Sequence, residues 1–207
     1  MIDGYLSSKQ VHKLQIGSGA FNLPNWLNTD IEPGPGQVYL DATKPFPLPD
    51  CSVAYIFGEH VIEHLTYDEG LAMLRECHRV LTVGGTLRLA TPDLRRVTAL
   101  LEVPPNDAAA KSYIRAKFAF HGWAPRPEPA AVPSIINGEL REWGHQFVYD
   151  EATLRDSLSR AGFQEIKRFA PGESDDPNLV GIEQRHNSLL LREVNDYESM
   201  VIQARRL

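Results

Sequence analysis

Short apolar runs ending in glycine or an acid alternate along this chain with stretches of helical period. Lys13-Leu14-Gln15-Ile16 runs into Gly17-Ser18-Gly19-Ala20, Trp26-Leu27-Asn28-Thr29 ends in Asp30, and Val38-Tyr39-Leu40 ends in Asp41. Val53-Ala54-Tyr55-Ile56-Phe57 is a further buried run. Asp68 to Leu81 then puts Leu71, Leu74, Cys77 or His78, and Leu81 on one face, with acids in the first turn and Arg79 near the last, which predicts a helix stopped by Gly84-Gly85. A strand over Thr86 to Ala90 follows and is broken by Thr91-Pro92-Asp93. Strand, helix and strand over residues 53 to 90 form the parallel crossover of an α/β sheet.

Residues 94–143 differ in character. A helical stretch from Ala108 to Phe120 leads to His121-Gly122-Trp123, and Ala124 to Pro133 then carries four prolines in ten residues, which neither a helix interior nor a central strand accepts. This segment reads as an insert forming a substrate lid, because long irregular loops in small domains tend to be functional. After it, Thr153 to Phe163 is an amphipathic helix stopped by Gly162, and Gln164 to Phe169 is a strand. Ser199 to Arg205 is the last strand, and the polar segment Pro171 to Tyr197 between the two allows them to pair antiparallel at one sheet edge.

At 207 residues the chain suits a single domain, 1–207, with a sizeable core. A net charge of −6, with no basic run longer than a pair, disfavours a nucleic-acid partner. Cys51 and Cys77 have no metal or disulfide spacing, no apolar run reaches membrane-spanning length, and Met1 to Tyr5 is not a leader. A soluble, cytoplasmic protein without a membrane partner is expected, and a homodimer is compatible with this.

Candidate chemistry concentrates after the first strand. Gly17 and Gly19 permit positive φ and let a ligand approach the backbone without a Cβ in the way, while a carboxylate at the next strand's end can accept both hydroxyls of a ribose. Four pieces in order extend this: Ile16-Gly17-Ser18-Gly19; Leu40-Asp41-Ala42 with Phe46 to Val53; Glu59-His60-Val61-Ile62-Glu63-His64-Leu65; and His145-Gln146-Phe147-Val148-Tyr149 before the late helix. Together they resemble the class I S-adenosylmethionine-dependent methyltransferases, specifically the small type 11-like family, by motif over residues 13–92 and by pattern over 145–205.

The resemblance implies a Rossmann-like, doubly wound, mostly parallel sheet with an antiparallel edge strand, in a three-layer sandwich. It also implies S-adenosylmethionine as cofactor, with Gly17, Ser18 and Gly19 against its methionine and ribose and Asp30 on the ribose hydroxyls. Asp41 and Ala42 would meet the adenine edge, and Gly58, Glu59 and His60 would flank the transferable methyl. The implied reaction is methyl transfer to an oxygen, less readily a nitrogen, of a small-molecule acceptor. His145, then His60, is the candidate general base. His121 is a further cleft candidate, Trp123 and Trp143 could stack on an aromatic substrate, and no carboxylate cluster suggests a metal.

The sequence departs from the family at one place. Asp30 lies 13 residues after Gly17, and the connector Ala20 to Asn25, containing Pro24, is too short for the usual helix. Six residues span at most about 20 Å, so either an extended crossing replaces the helix or the second strand is not parallel, which would take Asp30 to the wrong edge. In that second case the chain reads as a non-catalytic binding module or partner subunit on the same fold. His60-Val61-Ile62-Glu63-His64 also matches the H-x-x-E-H spelling of inverted zinc peptidases, but that motif must lie within a helix, and His60 directly follows a strand. A nicotinamide oxidoreductase is disfavoured because the turn lacks the third glycine.

Overall fold

The computed structural model describes residues 2–8, 10–104, 107–127, 129–183 and 192–207. A short helix α1 (Ile2–Leu6) precedes β1 (Lys13–Ile16), β2 (Leu27–Asp30), β3 (Val38–Tyr39) and β4 (Val53–Glu59). A 3-10 turn over Ile62–His64, helix α2 (Tyr67–Val80) and β5 (Leu81–Pro92) follow. The insert holds α3 (Leu94–Ala99), α4 (Ala108–His121) and α5 (Ala131–Arg141), and the chain ends with α6 (Glu151–Arg160), β6 (Gln164–Phe169), α7 (Arg192–Glu198) and β7 (Ser199–Arg205). The sheet order is β3-β2-β1-β4-β5-β7-β6. β1 to β5 are mutually parallel, and β7 runs antiparallel to both β5 and β6, so the reversed pairing occupies one end as expected. Residues 184–191 of the polar segment before β7 lie outside the described residues.

The two faces of the sheet differ. On one, Leu14, Ile16, Ile56, Leu87, Leu89, Ile202 and Ala204 pack with Met73, Leu74, Cys77, Leu154 and Leu158 from α2 and α6 into the main apolar core. Thr66 starts α2 with a capping box: its side chain accepts from the Glu69 N–H, and the Glu69 carboxylate accepts from the Thr66 N–H at 3.0 Å. The helix ends at Val80, before Gly84-Gly85, because Leu81 already pairs with Val53 in the sheet.

On the other face, strand register aligns Asn28, Gln15, Phe57, Arg88, Gln203 and Lys167 in a row across the sheet. Phe57 joins Leu23, Trp26, Leu179 and Ile182 in a small second core. Arg88, fully buried, donates from Nε to Glu183 Oε1 at 2.6 Å and from Nη1 to Gln203 Oε1 at 2.5 Å, fastening residues 171–183 over the sheet.

Gln15 and Asn28 explain how so short a connector returns β2 parallel to β1. An extended crossing carries backbone groups with no internal partner, and each must be satisfied once buried. Gln15 Nε2 donates to Phe21 O at 3.0 Å. Leu23 N–H donates to Gln15 Oε1 at 3.1 Å and to Asn28 Oδ1 at 3.0 Å, and Asn28 Nδ2 donates to Leu23 O at 3.1 Å. Two strand amides thus replace the helix, β2 is parallel, and Asp30 emerges at the same sheet edge as the glycine turn.

The insert is more regular than its prolines suggest. Pro133 sits in the first turn of α5, where a missing N–H has no consequence. Leu100, Ala110, Tyr113, Phe118, Ala131, Ile135 and Val194 form its own core. Buried Lys117 on α4 pairs with Glu139 of α5 at 2.5 Å and with Glu198 of α7 at 2.7 Å, which ties the insert to the start of β7. Both thiols are free, Cys51 exposed and Cys77 buried. Among the described residues no helix is long and apolar enough to cross a membrane.

Replacing Asn28 by leucine removes the donor to the C=O of Leu23 and leaves its N–H with Gln15 Oε1 alone. We expect Asn28→Leu to lower unfolding stability by about 1–3 kcal/mol, read as a shift of the urea midpoint; an unchanged midpoint would show that the crossing holds itself.

Candidate active site

In a doubly wound sheet the crevice for a ligand opens at the carboxyl ends of the strands, where the strand order reverses. Here that point lies between β1 and β4. A cleft of about 240 Å³ sits there, lined by Gln15, Gly17 to Phe21, Glu59, His60, His64, Trp143 and His145.

The glycine turn forms its floor. Gly17 and Gly19 take φ of +62° and +53°. A Cβ on Gly17 would collide with Val61, whereas one on Gly19 would meet no atom within 4 Å and would project into open space. Asp30 Oδ2 accepts from Gly19 N–H at 2.8 Å and Oδ1 from Glu32 N–H at 3.0 Å, so the carboxylate shapes the turn, and each oxygen keeps a lone pair for a ligand hydroxyl. Gln37 Nε2 donates to Gly19 O at 2.7 Å from the outer side.

The second wall is the end of β4. His60 adopts φ of +53°, an uncommon conformation for a residue with a Cβ, and its N–H donates to Ala90 O at 2.8 Å. Its side chain is almost buried: Nδ1 lies 2.8 Å from Glu63 Oε1 and Nε2 3.2 Å from Ser199 Oγ. Burial would raise the Glu63 carboxyl, but the His60 charge, the hydrogen bond to it and the His64 charge outweigh that and hold it down at about 2. Thr91 Oγ1 donates to its other oxygen at 3.0 Å.

The third wall comes from 80 residues further on. Gln146 and Phe147 both donate their N–H to Glu63 O, at 2.8 and 3.2 Å, and Gln146 Nε2 donates to His64 O at 2.8 Å. This clamp brings the His145 ring to 4.9 Å from that of His64, edge to face. His145 Nδ1 lies 2.6 Å from Glu139 O. A carbonyl only accepts, so Nδ1 carries the hydrogen and the neutral ring keeps Nε2 as its lone-pair nitrogen. Trp143, with φ of +63°, completes the wall.

The structure therefore brings together Gly17, Ser18, Gly19, Glu59, His60 and His145, with Asp30 directly behind Gly19. Asp41, Ala42 and Gly58 lie outside the lining of this cleft. The Asp41 carboxylate accepts from the Thr43 hydroxyl at 2.7 Å and its N–H at 2.9 Å, both of which hold it below its ordinary range. A Cβ on Gly58 would press on Leu89 at 3.2 Å. His121 is buried away from the cleft, stacked on Trp123 at 3.8 Å and 3.1 Å from Glu142, with burial its main influence toward a lower pKa. The H-x-x-E-H spelling straddles a strand end and a three-residue 3-10 turn and is not within an α-helix, which removes the peptidase reading. Sequence reasoning passed over Gln15 and Phe21, and polar Gln15 inside an apolar strand was the available signal.

The glycine turn yields a direct contrast. Alanine at either glycine must adopt positive φ, at about 1–2 kcal/mol, and at position 17 it must also displace Val61, at about 1–3 kcal/mol more. We expect Gly17→Ala to lower the thermal midpoint more than Gly19→Ala; equal midpoints would mean that Val61 moves freely.

Residues 15–89 match the family model described as a methyltransferase domain. No curated protein matches the chain by sequence. Among solved structures, a SAM-dependent methyltransferase from Archaeoglobus fulgidus aligns with 99% of this chain and 89% of its own, at 15% identity and a TM-score of 0.53. An S-adenosylmethionine-dependent methyltransferase from Mesorhizobium loti aligns with 94% and 90%, at 16% identity and a TM-score of 0.51. The structural likenesses share the fold, the family model covers the strands that build the cleft, and parallel β2 puts the acid at the glycine turn: residues 15–89 are similar to a methyltransferase domain, on the fold of S-adenosylmethionine-dependent methyltransferases.

Proposed function

We propose that the chain transfers the sulfonium methyl of S-adenosylmethionine to an oxygen, less readily a nitrogen, of a small molecule. The observation that carries this reading is the orientation of His145, whose Nδ1 is occupied by Glu139 O and whose Nε2 is left as the proton acceptor beside the cleft. Gly17, Ser18 and Gly19 would lie along the methionine and ribose, and Asp30 would take the ribose hydroxyls. Asp41 and Ala42 would reach the adenine edge, and Gly58, Glu59 and His60 would flank the methyl. His60, held by Glu63 and Ser199, suits positioning better than proton transfer. The net charge of −6 disfavours polyanionic acceptors.

The reaction is an in-line displacement with a good leaving group, so the protein's main contribution is alignment in a dry cleft. A base at the acceptor adds about 10²–10⁴ in rate. The insert, residues 94–143, would act as a lid: its last residue, Trp143, lines the cleft, and the buried Lys117 contacts anchor its base.

Titration calorimetry with S-adenosylmethionine and S-adenosylhomocysteine tests the cofactor half. Wild type should bind at micromolar concentration, and Asp30→Ala and Asp41→Ala should weaken it at least tenfold, about 1.4 kcal/mol; affinity unaltered in both would remove these carboxylates from the site. His145→Ala should cut release of S-adenosylhomocysteine with an acceptor by about 10²–10⁴ while leaving cofactor affinity intact, and full turnover would exclude it.

Cofactor and acceptor together should slow proteolytic cleavage within residues 121–138. Equal cleavage rates with and without them would rule out the lid.

A further inference from the structure

Glu63, His64 and His145 each offer one ligand atom, and the three atoms lie within 4.8 Å of one another. Two imidazoles and one carboxylate converging beside an open cleft are the donor set of a mononuclear divalent-metal centre with free coordination positions. The surroundings are those such ligands require. Glu63 is fully buried and steadied by Thr91 Oγ1 at 3.0 Å and His60 Nδ1 at 2.8 Å. His145 donates Nδ1–H to a backbone carbonyl, the outer-shell contact that fixes ring plane and tautomer in metal-binding histidines. The Gln146 and Phe147 bonds to Glu63 O hold both segments together with no ion needed.

We propose that Glu63, His64 and His145 bind one divalent transition-metal ion at the cleft, whose open positions receive the acceptor's oxygen. The second half rests on the methyl-transfer reading above. An acceptor hydroxyl set against the ion gives up its proton more readily, and the proton passes to water at the cleft mouth. The oxygen then forms its bond to the methyl carbon while the carbon–sulfur bond breaks. The electron pair stays on sulfur, giving the methyl ether and S-adenosylhomocysteine. With its Nε2 on the ion, His145 would act on the acceptor through the metal, and this replaces the direct proton-acceptor role given to it above. The H-x-x-E-H spelling already contains Glu63 and His64, but the third ligand of this set lies 81 residues beyond His64, where spacing does not reveal it.

The test uses the full chain stripped with a chelator, dialysed, and titrated with zinc(II) and with cobalt(II), whose visible absorption reports its ligands. One ion per chain is expected, with affinity reduced more than about a hundredfold by His64→Ala, His145→Ala and Glu63→Gln, since even outer-shell partners are worth about tenfold to a hundredfold. His12→Ala, at the opposite end of β1, should bind as wild type. Circular dichroism screens each variant for folding, and the exposed-side pair His64→Ala and His145→Ala suffices if Glu63→Gln unfolds. Absence of stoichiometric binding, or binding indifferent to both histidines, overturns the site. Cofactor affinity of the stripped protein is measured alongside: its loss would strike the methyltransferase assignment, and its retention without ion binding would strike only the metal.

Discussion

The active-site edge depends on two amide side chains. Gln15 and Asn28 stand on adjacent parallel strands and bond to the backbone of Phe21 and Leu23, which lets a connector too short for a helix cross the sheet and return in the same direction. Without those bonds the crossing would bury unpaired peptide groups, each unfavourable by about 1–3 kcal/mol. With them, Asp30 arrives where its carboxylate accepts the Gly19 N–H, and acid and glycine turn become one unit. An apolar strand in the style of β4 could not have done this, because it offers the crossing no hydrogen bonds.

A second joint joins parts of the chain that are remote in sequence. The carbonyl of Glu63 accepts two backbone N–H groups from Gln146 and Phe147, and Glu139 of the insert receives His145 Nδ1 through its own carbonyl. Glu139 is in turn held by Lys117, so the position of one cleft histidine is referred through α4 and α5 to the start of β7. Burial and the charge of Glu198 push the Glu139 carboxyl upward, opposed by Lys117, which marks how closely three charged groups share this dry space.

The alternation of strands and helices, the reversed terminal pair and α2 were legible because they rest on local periodicity, as in Leu71 and Leu74, and on glycine punctuation. The glycine turn and Asp30 were legible because backbone conformation and charge are written in residue type. What periodicity does not encode is the polar row on the second face: Arg88 and Gln203 look like interruptions of apolar strands, and only their register shows that they meet each other and Glu183. The convergence of Glu63, His64 and His145 was hidden for the same reason, since a contact between a 3-10 turn and a loop past the insert follows from backbone bonds alone. Pro133 misled in the opposite direction, because a proline is as acceptable in a first turn as it is damaging two turns later.

The buried charges then have a common logic. Arg88–Glu183 and Lys117–Glu139–Glu198 are buried and His60–Glu63 nearly so, and pairs of this kind return little net stability because desolvation offsets attraction. Stability comes from the apolar face, where α2 and α6 close on the sheet. Each ionic cluster sits instead where separate segments meet: under the cover strip 171–183, where α4, α5 and α7 join at the root of the insert, and at His60, whose left-handed backbone is itself unfavourable by about 1–3 kcal/mol. A directional pair admits one arrangement where apolar contact admits several, and the cleft is built from the segments so fixed. The chain thus separates the face that keeps it folded from the edge that must hold reactive groups in place.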